Sequence, residues 1–467
     1  MQIYWNKRLI SLFISILCCL GLHAQPHYYI SDIAITGNKT TKERIILREL
    51  QFHKGDSVLV SRLPHVINRC KENLDNLRLF IYTDVDYKMV PNSDSLIVIH
   101  INVEERWYYI PLFEPKLEDR NTSTWLKDFD MSRTSLKLGA NIHNMFGLNH
   151  TLTVGFKIGF QQSLNLSYKN ITLDRAQKHF IAVGISAQRS HHIDVMTVED
   201  APSRIKDLDR ILYQSVNGYL DYTYRYNVRI THHLNFDFNH ISIADTVLLT
   251  NPIFWGNDHT KRLNLSLEYY LRHDQRDYAA FPLKGYYLKT SGRVFTTSDF
   301  SVRHLQLYAN AQYYWDLGNR WFATERMTAG ISMKNTKAYI LDQALGYGEN
   351  ELRGYDYHVI DGQHFIALNS TIRYNIMPTK VVVINWLSWL SKFNKPHFTF
   401  YAHTFFDMGA VYHSYPSPSN TLSNQLLFSG GFGVDLVTYY DIVLSLNYSL
   451  NKQKEQGFYF SLHYPLK

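Results

Sequence analysis

The chain has 467 residues, 45% hydrophobic and 19% charged, with 48 Lys and Arg against 41 Asp and Glu for a formal charge of +7. No stretch after the first two dozen residues holds the ~18 to 20 continuous apolar positions of a spanning helix, which excludes a helical membrane protein, and the dispersed charge forms no basic stripe for nucleic acid. The 34 Tyr, 26 Phe and 8 Trp, 15% of the chain, suit rings at membrane interfaces, although composition alone also permits a large soluble β-protein.

Residues 1–24 read as a cleaved secretory signal. Lys7 and Arg8 precede an apolar run from Leu9 to Leu22, and Ala24 sits before Gln25. Cys18 and Cys19 lie in that run without the small residues of a lipoprotein site, so both are expected to leave with it. Cys70 is then the remaining cysteine, and no intrachain disulfide is expected.

Residues 25–105 form a small α+β module. Tyr28–Thr36 reads as a strand closed by Gly37-Asn38, and Thr40 with Glu43 spells a capping box for a short helix through Leu50. Leu63, Val66, Ile67, Cys70, Leu74 and Leu77 fall on one face of a second helix between Ser61 and Leu77, so Cys70 is expected in a core, not as a nucleophile or metal ligand. Strands over Ile81–Val90 and Leu96–Glu104 follow, joined by a turn at 91–95. This βααββ order, opened by "ITGNKTTKERIILREL" and closed by "IVIHINVEERWYYIP", resembles a polypeptide-transport-associated (POTRA) domain. The resemblance implies a periplasmic module that offers strand edges to unfolded chains. A different small βααββ domain is the competing reading.

From Trp107 the apolar period becomes two, and residues 106–467 read as a mainly β, antiparallel, 16-stranded transmembrane barrel. Leu263, Leu265, Leu267, Tyr269 and Leu271 alternate with Asn264, Ser266, Glu268, Tyr270 and Arg272. Similar runs occur at Leu152–Ile158 and Ile442–Leu450. Alternation alone does not distinguish a sandwich, greasy inside, from a barrel, greasy toward lipid. Segment length and loop asymmetry favour the barrel. About 16 segments of ~10 residues can be placed, and the long connections at 190–212, 243–261 and 334–362 all fall on one side. One connection on the other side is also long: 376–396 contains "INWLSWLSKFNK", readable as an interfacial helix or as a long strand with an irregular turn. At the end, Phe458, Phe460, Leu462 and Tyr464 alternate in "GFYFSLHYPLK". This resembles the carboxy-terminal recognition strand of outer-membrane barrels, with Pro465, Leu466 and Lys467 following the last aromatic.

The long connection at 334–362 contains "ENELRGYDYH", placed between the eleventh and twelfth strands. An arginine at that depth needs a partner, since a desolvated charge costs several kcal/mol. Counting alternate positions puts Phe400, Ala402, Thr404 and Phe406 toward lipid and leaves Asp407 in the lumen as that partner.

Here the resemblance becomes specific. Leu352-Arg353-Gly354-Tyr355 matches the loop motif of the BamA/TamA-type outer-membrane assembly and two-partner secretion superfamily, whose long external loop folds back into the lumen. It implies that Arg353 pairs with the aspartate of an F-x-D-x-G strand, here Phe405-Phe406-Asp407-Met408-Gly409. "HDQRDYAAFPLKGYYL", with Asp274, Arg276, Asp277, Pro282 and Gly285 at a periplasmic turn, and "GGFGVDLVTYYD" extend the likeness. One departure stands out: relatives place a second acid where Thr371 precedes Arg373, so Arg353 is expected to have one carboxylate partner unless Glu349, Glu351 or Asp356 assists. The latch either holds the loop as a structural brace or takes part in gating.

The resemblance implies an insertase or translocase in the outer membrane, with its POTRA module in the periplasm. Its partners would be outer-membrane lipids, unfolded client polypeptides and periplasmic accessory proteins, and not nucleic acid. A lipid or small-solute conduit on the same scaffold is the alternative. Neither an enzyme nor a cofactor is expected. No G-x-S-x-G occurs, and the pair His232-His233 lies within a strand, where neighbours point to opposite faces, while His191-His192 lies at the mouth of a long loop.

Overall fold

A computed structural model describes residues 26–118, 125, 129, 131–381, 397–438 and 442–463. The signal segment, Tyr464 and most of the 376–396 connection lie outside the described residues. The chain divides into two compact units between Glu105 and Arg106.

The first unit contains β1 (His27–Thr36), α1 (Glu43–Leu47), β2 (Ser57–Leu59), α2 (Leu63–Asn76), β3 (Phe80–Met89) and β4 (Leu96–Glu105). The sheet order is β2-β1-β4-β3, with β1 parallel to β4. Its core joins Ile30, Ile97, Ile99 and Ile101 of the sheet to Ile45, Ile46, Leu63 and Leu74 of the helices. The short strand β2 adds to the expected order.

The start of α1 differs from the capping-box expectation. The helix begins at Glu43 after Lys42, with no side-chain cap. The buried Glu105 carboxylate of β4 instead holds the two residues that precede the N-cap position, accepting hydrogen bonds from the Thr40 and Thr41 amides at 3.0 and 2.6 Å and from the Thr41 hydroxyl at 2.6 Å. The turn into the helix is thus fixed by a buried acid distant in sequence, which offsets the lost hydration of two backbone amides.

Cys70 is fully buried in α2, and burial pushes its thiol up to about 11. A neutral, enclosed thiol is unreactive. Peptide-level labelling should therefore leave Cys70 unmodified by maleimide at pH 8 until denaturant is added; rapid native labelling would contradict this packing.

The second unit is one antiparallel sheet of 16 strands. It opens with β5 (Tyr109–Leu117), β6 (Thr134–Met145), β7 (His150–Gly159), β8 (Gln161–Thr172) and β9 (His179–Ser190). A hairpin of β10 (His192–Val198) and β11 (Ala201–Lys206) stands apart in the connection to β12 (Tyr213–Arg225). Then come β13 (Ile230–Ile243), α3 (Asp245–Thr250), β14 (Lys261–Asp274), β15 (Gly285–Thr297), β16 (Arg303–Gly318) and β17 (Trp321–Lys334). A small pair, β18 (Gln343–Leu345) and β19 (Ile360–Asp361), precedes β20 (His364–Val381). β21 (His397–Tyr412), β22 (Leu426–Thr438), β23 (Val443–Asn451) and β24 (Gln456–His463) complete the sheet.

The sheet is inside out relative to a soluble protein. On β14, Leu267 and Tyr269 are 48% and 49% exposed, whereas Arg262, Asn264 and Ser266, on the opposite face of the strand, are buried. The same inversion marks β21 and β22, with Phe406, Phe428 and Phe432 outward and Asp407, Ser429 and Asp435 inward. Among the described residues the outward leucines and phenylalanines pack against no second sheet, which is the arrangement lipid satisfies and water does not.

The three long connections from β9 to β12, β13 to β14 and β17 to β20 gather at one end. The tip of the β10–β11 hairpin is held there by neighbouring loops: the Asp200 carboxylate accepts hydrogen bonds from the Thr421 hydroxyl at 2.6 Å and the Leu422 amide at 3.1 Å, and the Asp200 carbonyl accepts from the Val359 amide. Beneath it, Val195, Val247, Phe254, Trp255 and Tyr339 form a buried apolar cluster.

Candidate functional site

The β17–β20 loop doubles back because glycine permits it: Gly346, Gly348 and Gly354 all have positive φ. Leu352 is then buried beside Leu345, Tyr355, Phe365, Val411 and Leu427. Gly409 on β21 makes room for this cluster, since a Cβ there would lie 3.1 Å from Leu345 Cδ1 and 3.4 Å from Leu352 Cδ1.

The structure brings Arg353 and Asp407 together. Arg353 Nε donates to Asp407 Oδ2 at 2.8 Å, Nη2 donates to Oδ1, and the Arg353 amide donates to Oδ2 at 3.1 Å. Asn369 Nδ2 on β20 adds a fourth hydrogen bond at 2.8 Å. Asp407 has no exposed surface, so its lost hydration is offset by these four donors and one full positive charge. Arg353 Nη1 donates to the Thr371 hydroxyl at 3.0 Å and Nη2 to the Ser370 carbonyl at 3.2 Å, while the guanidinium lies 4.1 Å from the Phe405 ring centre. Thr371 thus supplies a neutral acceptor at the position of the second acid. Asp356 acts locally, accepting from the Gly354 amide at 3.0 Å.

Two further strands grip the loop backbone. The Ser429 hydroxyl on β22 donates to the Arg353 carbonyl, and Asn451 Nδ2 on β23 donates to the Gly354 carbonyl at 2.8 Å. Tyr355 donates its hydroxyl to the Phe428 carbonyl at 3.2 Å. β20, β21, β22 and β23 therefore all hold the four-residue motif. No motif in the sequence marks Asn369, Ser429 or Asn451; each lies on the inward parity of its strand, the same signal that points to Asp407.

The "GGFGVD" segment belongs to β22, where Asp435 faces inward, 3.0 Å from His403 Nδ1 and 3.4 Å from Arg373 Nε, and accepts from the Ser445 hydroxyl at 2.6 Å. At the periplasmic turn, Arg276 pairs with Asp274 at 2.7 Å and lies 4.4 Å from the Tyr287 ring. Asp277 Oδ1 accepts from the amides of Tyr278 and Leu283 at 2.8 and 3.1 Å. Pro282 lies between Phe281 and Leu283, which pack against the cluster of Tyr401, Val437 and Val443. The turn motif therefore braces a segment whose apolar side chains fold inward beneath the Asp435 network.

At the other end of the sheet, Phe458 and Phe460 face outward and pair with Tyr448 and Leu446, and Leu462 pairs with Leu444. The histidine pairs separate: His232 reaches Tyr269 Oη at 2.8 Å, whereas His233 approaches Thr223 Oγ1 at 2.9 Å on the opposite face. His191 donates from Nδ1 to loop carbonyls, and His192 stacks on Phe160 at 3.8 Å.

The Omp85 superfamily domain matches residues 144–463, which include the latch, the periplasmic turn and the last strand. The chain belongs to the Omp85 superfamily. Residues 28–106 match the POTRA family described as surface antigen variable number repeat. The fold is similar to BamA from Haemophilus ducreyi lacking POTRA domains 1–3, at 13% identity and TM-score 0.53 over 99% of this chain and 93% of that one. CdiB from Escherichia coli is similar at 12% identity and TM-score 0.52, covering 93% and 75%, and CdiB from Acinetobacter baumannii at 14% and 0.51, covering 93% and 73%. At these identities the likeness is one of fold. No curated protein matches the sequence. As an Omp85 chain with a POTRA module, the protein is an outer-membrane β-barrel whose POTRA domain lies in the periplasm.

Proposed function

We propose that this Omp85 barrel inserts or translocates client polypeptides, engaging them by β-augmentation at a POTRA edge or at the seam between its first and last strands. One observation carries the reading: β5 and β24 end the 16-strand order, and no ladder joins them among the described residues. β5 carries Pro111 and Pro115, which have no N–H to give a ladder. Prolines are tolerated in a strand where the N–H would point away from its partner, so these two sit toward the seam and remove two donors from it. A seam poor in its own hydrogen bonds is one that an incoming strand can enter at low cost, and backbone pairing makes few demands on client sequence. In the POTRA unit, β3 is the longer of the two outer strands, the other being the three-residue β2, and offers the corresponding edge among the described residues. Nothing in this mechanism needs covalent chemistry or a cofactor.

Depletion followed by quantitative comparison of the outer-membrane proteome is the test. Loss of several unrelated barrels is the result expected of an insertase, and loss of one secreted product that of a dedicated translocator. A change confined to lipid asymmetry would rule the reading out in favour of a conduit.

A further inference from the structure

The outward face of the barrel carries, at its external end, two clefts built to one plan. The first, of about 450 Å³, spans β8, β9, β12 and β13. The ladder register sets Gln162, Arg189, Gln214 and Ser242 side by side in one row. The next outward row toward the periplasm is Leu164, Ala187 and Val216, closed by His240. Ala187 between two larger side chains leaves the depression. Arg189 Nε donates to Gln162 Oε1 at 2.6 Å, which orients the guanidinium.

The second cleft, of about 520 Å³, spans β15, β16 and β17. Thr296 and Arg303 are paired in its upper row, and the Arg303 amide is tied to Asn335 Oδ1 at 2.7 Å. Val294, Leu305 and Met333 form the row beneath, and Phe300 makes an exposed lip. Neither Arg189 nor Arg303 is in an ion pair with a carboxylate among the described residues. The nearby Asp299 is engaged by the Ser301 amide and hydroxyl at 3.1 and 2.9 Å.

The two rows ask for two chemistries in one ligand. A planar guanidinium flanked by amides or hydroxyls is a donor array for a phosphate, whose several oxygens accept in a fork. An exposed apolar row below it, at the depth where lipid meets the wall, takes hydrocarbon. Free phosphate would use the upper row alone. We propose that both clefts hold phosphate-bearing lipids of the outer leaflet, the headgroup phosphate on Arg189 or Arg303 and an acyl chain along the apolar row beneath. Both clefts lie between β7 and β17, away from the strands that hold the latch, so the lipid sites can be altered without touching it.

The full chain in detergent micelles, examined by native mass spectrometry with added lipid A, tests the assignment. Bound lipid A should fall about tenfold or more in the Arg189→Gln/Arg303→Gln double variant and less in the Arg189→Lys/Arg303→Lys variant, which keeps charge but loses the fork. Dephosphorylated lipid A should bind the unaltered chain about tenfold more weakly, and excess inorganic phosphate should fail to strip the bound lipid. Heat-modified mobility reports folding of each variant, and the lipid comparison on the unaltered chain stands even if a variant misfolds. Equal retention by the unaltered chain and the folded Gln variant, or equal binding of the two lipids, would overturn the proposal. So would complete displacement by inorganic phosphate.

Discussion

Arg353→Ala is expected to release the β17–β20 loop from the lumen while leaving the 16-strand sheet assembled. The substitution removes three of the four hydrogen bonds to Asp407 if the freed backbone moves away, and strands a carboxylate that has no exposed surface. Breaking a buried pair by removing one partner costs about 3–5 kcal/mol, most of it the uncompensated charge. The Ser429, Asn451 and Tyr355 hydrogen bonds, at roughly 1 kcal/mol each, together match only the lower end of that cost. The ladders on either side of β21 do not depend on the pair. Heat-modifiability should therefore persist, while cleavage of the loop between Tyr347 and His358 by added protease should accelerate by about two orders of magnitude. Asp407→Asn should give a smaller effect, because Arg353 is 24% exposed and is partly served by Thr371 and Ser370. Unchanged protease resistance of the loop in the Arg353 variant would show that the pair does not latch it.

Gly285→Ala should be the most damaging small substitution in the barrel's periplasmic turns. Gly285 has φ +102, and a Cβ there would lie 2.1 Å from the Gln275 carbonyl oxygen, a backbone atom that cannot swing aside. Gly318, in the turn between β16 and β17, separates the two causes: its φ is +80, but a Cβ would meet nothing within 4 Å. Gly318→Ala should therefore cost about 1 kcal/mol from backbone strain alone. Gly285→Ala adds the collision and must open the turn that carries Phe281 and Leu283 inward, a cost of about 3 kcal/mol or more. Urea unfolding of the two variants side by side is the check; equal midpoints would mean the turn relaxes around the new methyl group.

Where a single periodicity decides the outcome, the structure was legible in the chain. The outward leucines of β14, the parity that puts Asp407 inward, and the long connections at one end all follow from a two-residue repeat bounded by turns. Where the outcome depends on contacts between distant segments, it was not. Glu105 holds the amides of Thr40 and Thr41 from across the module, and nothing near Thr40 announces it. The hairpin of β10 and β11 has strands too short to stand out in a polar loop, and its place is set by Asp200 against Thr421. The grip of Ser429 and Asn451 on the loop carbonyls is a backbone contact, which the side chains of residues 352–355 do not encode. The lipid-facing clefts likewise arise only once neighbouring strands fix which side chains share a row.

Photo-crosslinking at defined wall positions tests most directly whether clients enter at the seam. A photoreactive residue would replace Phe113 on β5, Phe458 on β24, or Leu267 on β14, all of them outward-facing. During synthesis of barrel precursors, adducts with client chains are expected at 113 and 458 and absent at 267. Adducts spread evenly over all three positions, or none at 113 and 458 while clients still assemble, would contradict entry through the gap between β5 and β24.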